Sequence, residues 1–405
     1  MGILENNETI KRTTCIYGSE IFDGVRLLER GAVLFNEEGI LEITEGGNIP
    51  SAEESFCIKG DKLIMPGLID IHSDALEKCI EMRPGVYFDA TFALQNLDKR
   101  LAGCGITTFC HAVSFADNEL GLRSSERAEE MVRLVRLYSA TPYSSIKHKV
   151  HGRYEIGSNH GQKILIKLLG EKLVDTISFM DHTPGQGQFK TVQSYIDYYG
   201  SSYRLSREEI ISIARQKKRT REFNWESALS LAKLIHEERL PFLSHDDDTP
   251  DKVSIVQQLG VSASEFPVTI EAAKAAKSKN MHVFMGAPNI LRGQSANGHL
   301  RALDTIAAGL CDGLVSDYYP ECLIQAPFLA SRECSLSLHE TLKLVTSNPG
   351  TYLMPEGGAG LIKPGFPADL IVIDTAGPWP QVLQTWVSGR CVYSSNNDDI
   401  ECLSY

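Results

Sequence analysis

Between about residues 62 and 364 the sequence alternates short apolar runs with longer helical patterns, and nothing else in it restricts the fold as strongly. Residues 64–71, 106–113, 149–156, 176–181, 241–244, 281–285 and 313–316 read as strands, while residues 124–138, 225–238, 269–279 and 300–308 read as helices. Ser206-Arg207-Glu208-Glu209 and Ser337-Leu338-His339-Glu340 fit the capping box that opens a helix. Strand-then-helix order repeated over about 300 residues calls for an α/β fold with a parallel sheet, and at this length a closed (β/α)8 barrel of the TIM type is expected. The alternative is an open doubly wound sheet, but no glycine-rich dinucleotide loop follows the first strand.

Both flanks have a different texture. "TTCIYGSEIFDG", "GAVLFNEEGILEI" and "SFCIKGDKLIM" at the start, and "ADLIVID" and "TWVSGRCVYSS" at the end, are short strands punctuated by Asp-Gly, Glu-Gly and Lys-Gly turns. They predict a small β-sandwich built from both termini, giving 1–63 and 364–405 to the sandwich and 64–363 to the barrel. The segment 185–222, polar, tyrosine-rich and carrying the basic run "RQKKRTR", reads as an excursion over one barrel mouth, either a lid or a solvated helical decoration.

Charge and cysteines narrow the function. A net charge of −12 repels phosphate backbones and anionic membranes, so a small molecule is the expected partner, and nucleic acid and membrane are not. Ten cysteines with no Cys-x-x-Cys pair, several inside apolar runs, read as reduced core thiols and suggest a cytoplasmic setting. No apolar leader or bilayer-spanning stretch is evident. Nothing in the text opposes a homo-oligomer.

Barrel enzymes place their chemistry at the C-terminal ends of the strands. There the sequence puts His72 and Asp74, Glu155, His182, His245 and Asp317 in succession. Each alone has an ordinary structural reading as a hydrogen-bonded or capping residue, but together imidazole nitrogens and carboxylate oxygens make a set of ligands for Zn²⁺, Mn²⁺ or Fe²⁺, and a bridging carboxylate such as Glu155 suits two ions. Residues two apart on a strand share a face, so His72 and Asp74 are expected to aim into one cavity while Ser73 turns away. His111, His151 and His160 are assigned structural roles near strand ends, and His299 is read as opening a helix.

With these residues, "IMPGLIDIHSD" and "GLIKPGFPADLIVID" resemble the amidohydrolase superfamily. "GLIDIHSDALE", "RPG", "AGCGITTF", "FMDHTPGQGQF", "LSHDDDTPD", "SEFPVT", "MGAPNILRG" and "SDYYPECLI" further resemble its PhnM family, the ribose 1-methylphosphonate 5-triphosphate diphosphatases of phosphonate catabolism. The resemblance implies a metal-dependent phosphoanhydride hydrolase that cuts between the α and β phosphates. It implies His72, Asp74, Glu155, His182, His245 and Asp317 as metal ligands, with Asp317 also the catalytic residue that orients or deprotonates water. Arg292, Arg153 and Arg83 are the candidates for phosphate contact, since a guanidinium matches phosphate oxygens in a bidentate way. The chain departs from the family pattern at Ala75, where asparagine is usual, and at Ala296, where histidine is usual. Two other functions compete: hydrolysis or deamination of a C–N bond in a cyclic amide or amine, and an inactive assembly role.

Overall fold

The structure is a computed structural model that describes residues 12–117, 124–181, 225–295, 298–395 and 398–404, together with Gln193, Arg207, Glu208, Ile211 and Ser212. Eight parallel strands form the central sheet in chain order: β1 (Leu68–Ser73), β2 (Ile106–Phe115), β3 (Lys147–Glu155), β4 (Thr176–Met180), β5 (Phe242–His245), β6 (Ala263–Glu265), β7 (His282–Gly286) and β8 (Gly313–Val315). The sheet curls until its edges meet: Ser73 bridges Asp317, the Asp317 amide donates to the His72 carbonyl at 3.1 Å, and Asp70 Oδ1 accepts from the Ser316 amide at 3.1 Å. Helices including Ala90–Gly103, Ser125–Ser139, Asn159–Gly170 and Trp225–Glu237 surround it.

Caps set the helix starts that the sequence signalled. Ser124, Thr249 and Thr269 each accept a hydrogen bond from a backbone amide three residues on, and Ser337 with Glu340 forms the expected capping box. The other expected box, at Ser206, lies outside the described residues, as does most of the 185–222 excursion.

The run read as one strand over residues 64–71 is two. Lys62–Pro66 belongs to a terminal sheet and Leu68–Ser73 to the barrel, with Gly67 between them. A Cβ on Gly67 would lie 2.1 Å from Thr107 Cγ2, so the close approach admits only glycine. The terminal sheets mix both ends of the chain. One orders Ile400–Ser404, Glu54–Ile58, Thr14–Tyr17, Ala32–Asn36 and Gly39–Thr44, and the other orders Arg390–Ser394, Gln381–Val387, Leu370–Asp374, Lys62–Pro66, Glu20–Phe22 and Leu27–Leu28. Ile16, Phe35, Ile64, Leu370, Val372 and Trp386 pack in the buried layer between the sheets. All ten cysteines are free thiols.

Candidate metal centre

The barrel interior changes chemistry over one step of the strand repeat. Ile71, Cys110, Leu243, Ala263, Phe284 and Val315 form one buried apolar layer across the axis. Two residues further on, where alternation returns to the same face, Leu243 gives way to His245, Ala263 to Glu265 and Val315 to Asp317. The apolar layer is a floor and the polar layer above it is the site.

β1 reaches this layer by an irregularity. Asp70 pairs with Phe109 but Ser73 pairs with His111, so β1 carries one extra residue between them. Strict alternation from an inward Ile71 would turn His72 out of the barrel. The bulge lets consecutive Ile71 and His72 both face the axis, with the His72 ring 5.4 Å from that of His245 and 5.1 Å from Phe266. Ser73 then faces away, its hydroxyl accepting across the seam from Ser316 Oγ at 2.8 Å, and Asp74 lines the cavity above.

His72, His245 and Glu265 come together, each buried and each offering a ligand atom within 4.8 Å of the other two. His72 Nδ1 meets Glu265 Oε2 at 2.7 Å, and the buried Glu265 Oε1 has no hydrogen-bond partner among the described residues, with His151 Nε2 3.8 Å from it. A buried carboxylate oxygen facing imidazoles, with no hydrogen bond of its own, suits a divalent ion, and the N,O donor set fits the zinc, manganese or iron expected from the sequence. Burial by itself would raise the Glu265 carboxyl, but His72, His151 and His245 around it pull it well below the usual range. Burial likewise opposes protonation of His72, yet Glu265 outweighs it and holds that imidazole above its ordinary value. Burial lowers His245 and takes His151 down to about 3. His151 Nδ1 donates to the Ile71 carbonyl (3.0 Å) and its Nε2 accepts from Ser178 Oγ (2.9 Å), which fixes the ring beside the cluster.

A cavity of about 280 Å³ opens over the cluster, lined among others by Asp74, Lys78, Arg153, His245, Arg292 and Asp317. Arg153 Nη1 donates to Asp74 Oδ1 at 2.9 Å, so this arginine is an ion-pair partner of Asp74 inside the cavity. Arg292 ends the helix Ala287–Arg292 and is exposed at the rim. Burial raises the Asp317 carboxyl to about 6, and its φ of 60° is left-handed, as are those of Asp246 (54°) and Phe266 (55°) directly after β5 and β6. Strained backbone of this kind gathers where function holds it.

Glu155 ends β3, buried and on the same face as Arg153. His182 lies outside the described residues. Arg83 is exposed and is not among the residues that line the cavity. His299, read as opening a helix, stands three residues before the helix Ala302–Ala307 and lines the cavity instead, while Lys78 reaches it from the helix Ala75–Ile80. Sequence reading missed Glu265 because it missed β6, three residues of which two are Ala263 and Ser264, too short and too small to stand out as an apolar run. The available signal was the missing eighth strand.

No family model matches the chain. It is 34% identical over 389 residues to α-D-ribose 1-methylphosphonate 5-triphosphate diphosphatase of Escherichia coli (strain K12), covering 92% of this chain and 100% of that one. Solved structures share its fold: Aspergillus niger ochratoxinase at TM-score 0.64 and 14% identity over 95% of this chain and 96% of that one. N-acetyl-D-glucosamine-6-phosphate deacetylase of Mycobacterium smegmatis matches at TM-score 0.64 and 14% identity over 94% and 100%.

Proposed function

Because this chain belongs to the PhnM family of the amidohydrolase superfamily, we propose that it cleaves the α–β phosphoanhydride of α-D-ribose 1-methylphosphonate 5-triphosphate, releasing pyrophosphate and ribose 1-methylphosphonate 5-phosphate. The observation that carries this reading is one cavity joining an imidazole–carboxylate cluster to cationic side chains. In a chain of net charge −12, Lys78, Arg153 and Arg292 line the same small space as Asp74, His245 and Asp317. Arg153 is paired with Asp74, so Lys78 and Arg292 are the cations offered to an anionic substrate, and a site for a neutral cyclic amide has no need of them.

His72, His245 and Glu265 would hold one divalent ion. Asp74, Glu155 and Asp317, with His182, are the proposed ligands of a second. Such an ion supplies Lewis-acid polarisation of a phosphoryl oxygen and makes water a better nucleophile near neutral pH. The protein's own groups do the rest. Asp317 orients the attacking water and accepts its proton. Arg292 and Lys78 bind the β and γ phosphates and stabilise the charge that develops on departing pyrophosphate. Arg153 fixes the Asp74 carboxylate.

Phosphorus NMR of the enzyme with this triphosphate and added Mn²⁺ or Zn²⁺ tests the proposal. Pyrophosphate appearing together with a single 5-phosphate product is expected. Stepwise orthophosphate release, or turnover of cyclic amides in place of the triphosphate, refutes it.

A further inference from the structure

Behind the His245–Glu265 pair lies a buried carboxylate that the chemistry above does not use. β5 and β6 run in register, Ser244 beside Ser264 and His245 beside Glu265. Since His245 and Glu265 face the axis, the two serines face the outside of the barrel. The left-handed backbone of Asp246 turns the chain back on itself and brings Asp247 to both of them. Ser244 Oγ donates to Asp247 Oδ1 at 2.6 Å and Ser264 Oγ donates to Asp247 Oδ2 at 2.6 Å, one oxygen to each strand, with the residue fully buried. Lys252 Nζ donates to the carbonyls of His245 (2.9 Å) and Asp246 (3.0 Å) and lies 3.5 Å from Asp247 Oδ1. The Asp246 amide donates to the Glu265 carbonyl at 3.0 Å, and the Val268 amide to the Asp247 carbonyl at 2.8 Å.

We infer that Asp247 is a positioning residue, a staple between β5 and β6 that sets the separation of His245 and Glu265 for the divalent ion. The inference rests on the metal-centre reading and adds the group that makes it precise. β6 has three residues, so its ladder to β5 is short and leaves the pair free to splay. Hydrogen bonds to an ionised carboxylate are among the strong ones, and these act one residue before each ligand. Loss of a group that orients metal ligands typically lowers affinity or activity by roughly 10–100-fold.

The test compares wild-type protein with Asp247→Asn and Ser264→Ala. Zn²⁺ and Mn²⁺ affinities are read by competition with a chromophoric chelator, and the coordination geometry by the visible spectrum of Co²⁺-loaded protein. Both variants are expected to bind roughly 10–100-fold more weakly, to show an altered Co²⁺ spectrum, and at saturating metal to lose kcat with KM little changed. Ser264→Ala removes one hydroxyl and carries the test if Asp247→Asn does not fold. Folded variants with wild-type affinity and spectrum overturn the inference alone. A wild-type protein that binds none of these ions overturns the metal-centre reading and the inference with it.

Discussion

Glu265 is the residue on which the centre turns, because it supplies the carboxylate charge that a divalent ion held by His72 and His245 would need. Glu265→Gln keeps its size and one acceptor but removes that charge. It is expected to abolish tight binding of a divalent ion and to lower kcat by more than the roughly 10–100-fold typical of a change one shell further out. Metal content after gel filtration, with far-UV circular dichroism to confirm the fold, checks this; a variant retaining stoichiometric metal would remove Glu265 from the ligand set. The contrast with its neighbours shows what a sequence displays. His72, Glu155, His245 and Asp317 stand at strand ends in the structure, and each could be picked out because it closes or adjoins a recognisable strand-like run. Glu265 closes a strand of three residues with almost no apolar signal, and Asp247 acts through two serines adjacent only once β5 and β6 pair. Side chains that work through pairing partners from another strand leave no local trace.

At the scale of elements, alternation correctly gave the closed barrel and seven of its eight strands, since period-two and period-3.6 patterns survive wherever strands and helices are long. It did not give the bulge in β1, because an extra residue is set by the neighbouring strand and not by the strand's own text. The start of β1 is equally demanding: Gly67→Ala drives a methyl into Thr107 and is expected to destabilise by about 1–3 kcal/mol in urea melts. A second element-level device joins β2 and β3 to the helices Ala90–Gly103 and Ser125–Ser139. His111 Nε2 meets His148 Nδ1 at 2.9 Å, His148 Nε2 meets Asp98 Oδ1 at 3.0 Å, and Tyr138 donates to Asp98 Oδ2 at 3.0 Å. Burial first, and then His148, push His111 well below its ordinary 6.5, with Arg136 acting in the same direction and Asp98 against it. A folded pKa below the unfolded one means that protonation favours the unfolded chain. His111 therefore imposes no penalty above about pH 6.5, and below it stability falls by up to about 1.4 kcal/mol per pH unit until the folded pKa is reached. Urea midpoints measured between pH 7.5 and 5 are expected to fall, and His111→Gln is expected to flatten that slope; an equal slope in the variant would assign the acid sensitivity elsewhere.

At the scale of the whole molecule, the two terminal segments meet in strands whose pairing partners lie about 300 residues apart, Lys62–Pro66 against Leu370–Asp374. Their sandwich is not a separate body in energetic terms. Ile371, Ile373 and Val387 from the C-terminal strands, and Leu63 and Met65 from the N-terminal one, share a continuous buried core with the barrel's own Leu101, Ile106 and Val113. Polar ties reinforce it: Lys147 on β3 donates to Asp369 Oδ2 at 2.6 Å, the Ser388 amide donates to Asp369 Oδ1 at 2.9 Å, and the Gly67 amide donates to the Asp369 carbonyl at 2.9 Å. Shared burial of this kind predicts one cooperative unfolding transition. Trp386 sits between Phe35 and Phe56 in the sandwich, at ring separations of 5.2 and 5.4 Å, and so reports on that domain. Its emission, read in a chain whose Trp225 and Trp379 are replaced by phenylalanine, and the helical circular dichroism of the barrel are expected to melt together. Asp369→Ala leaves Lys147 and the Ser388 amide without their partner and is expected to lower stability by about 1–3 kcal/mol. Because the tie spans both domains, both signals should move to the same lower midpoint; a sandwich signal that moves while the barrel signal stays would show that the two domains unfold independently.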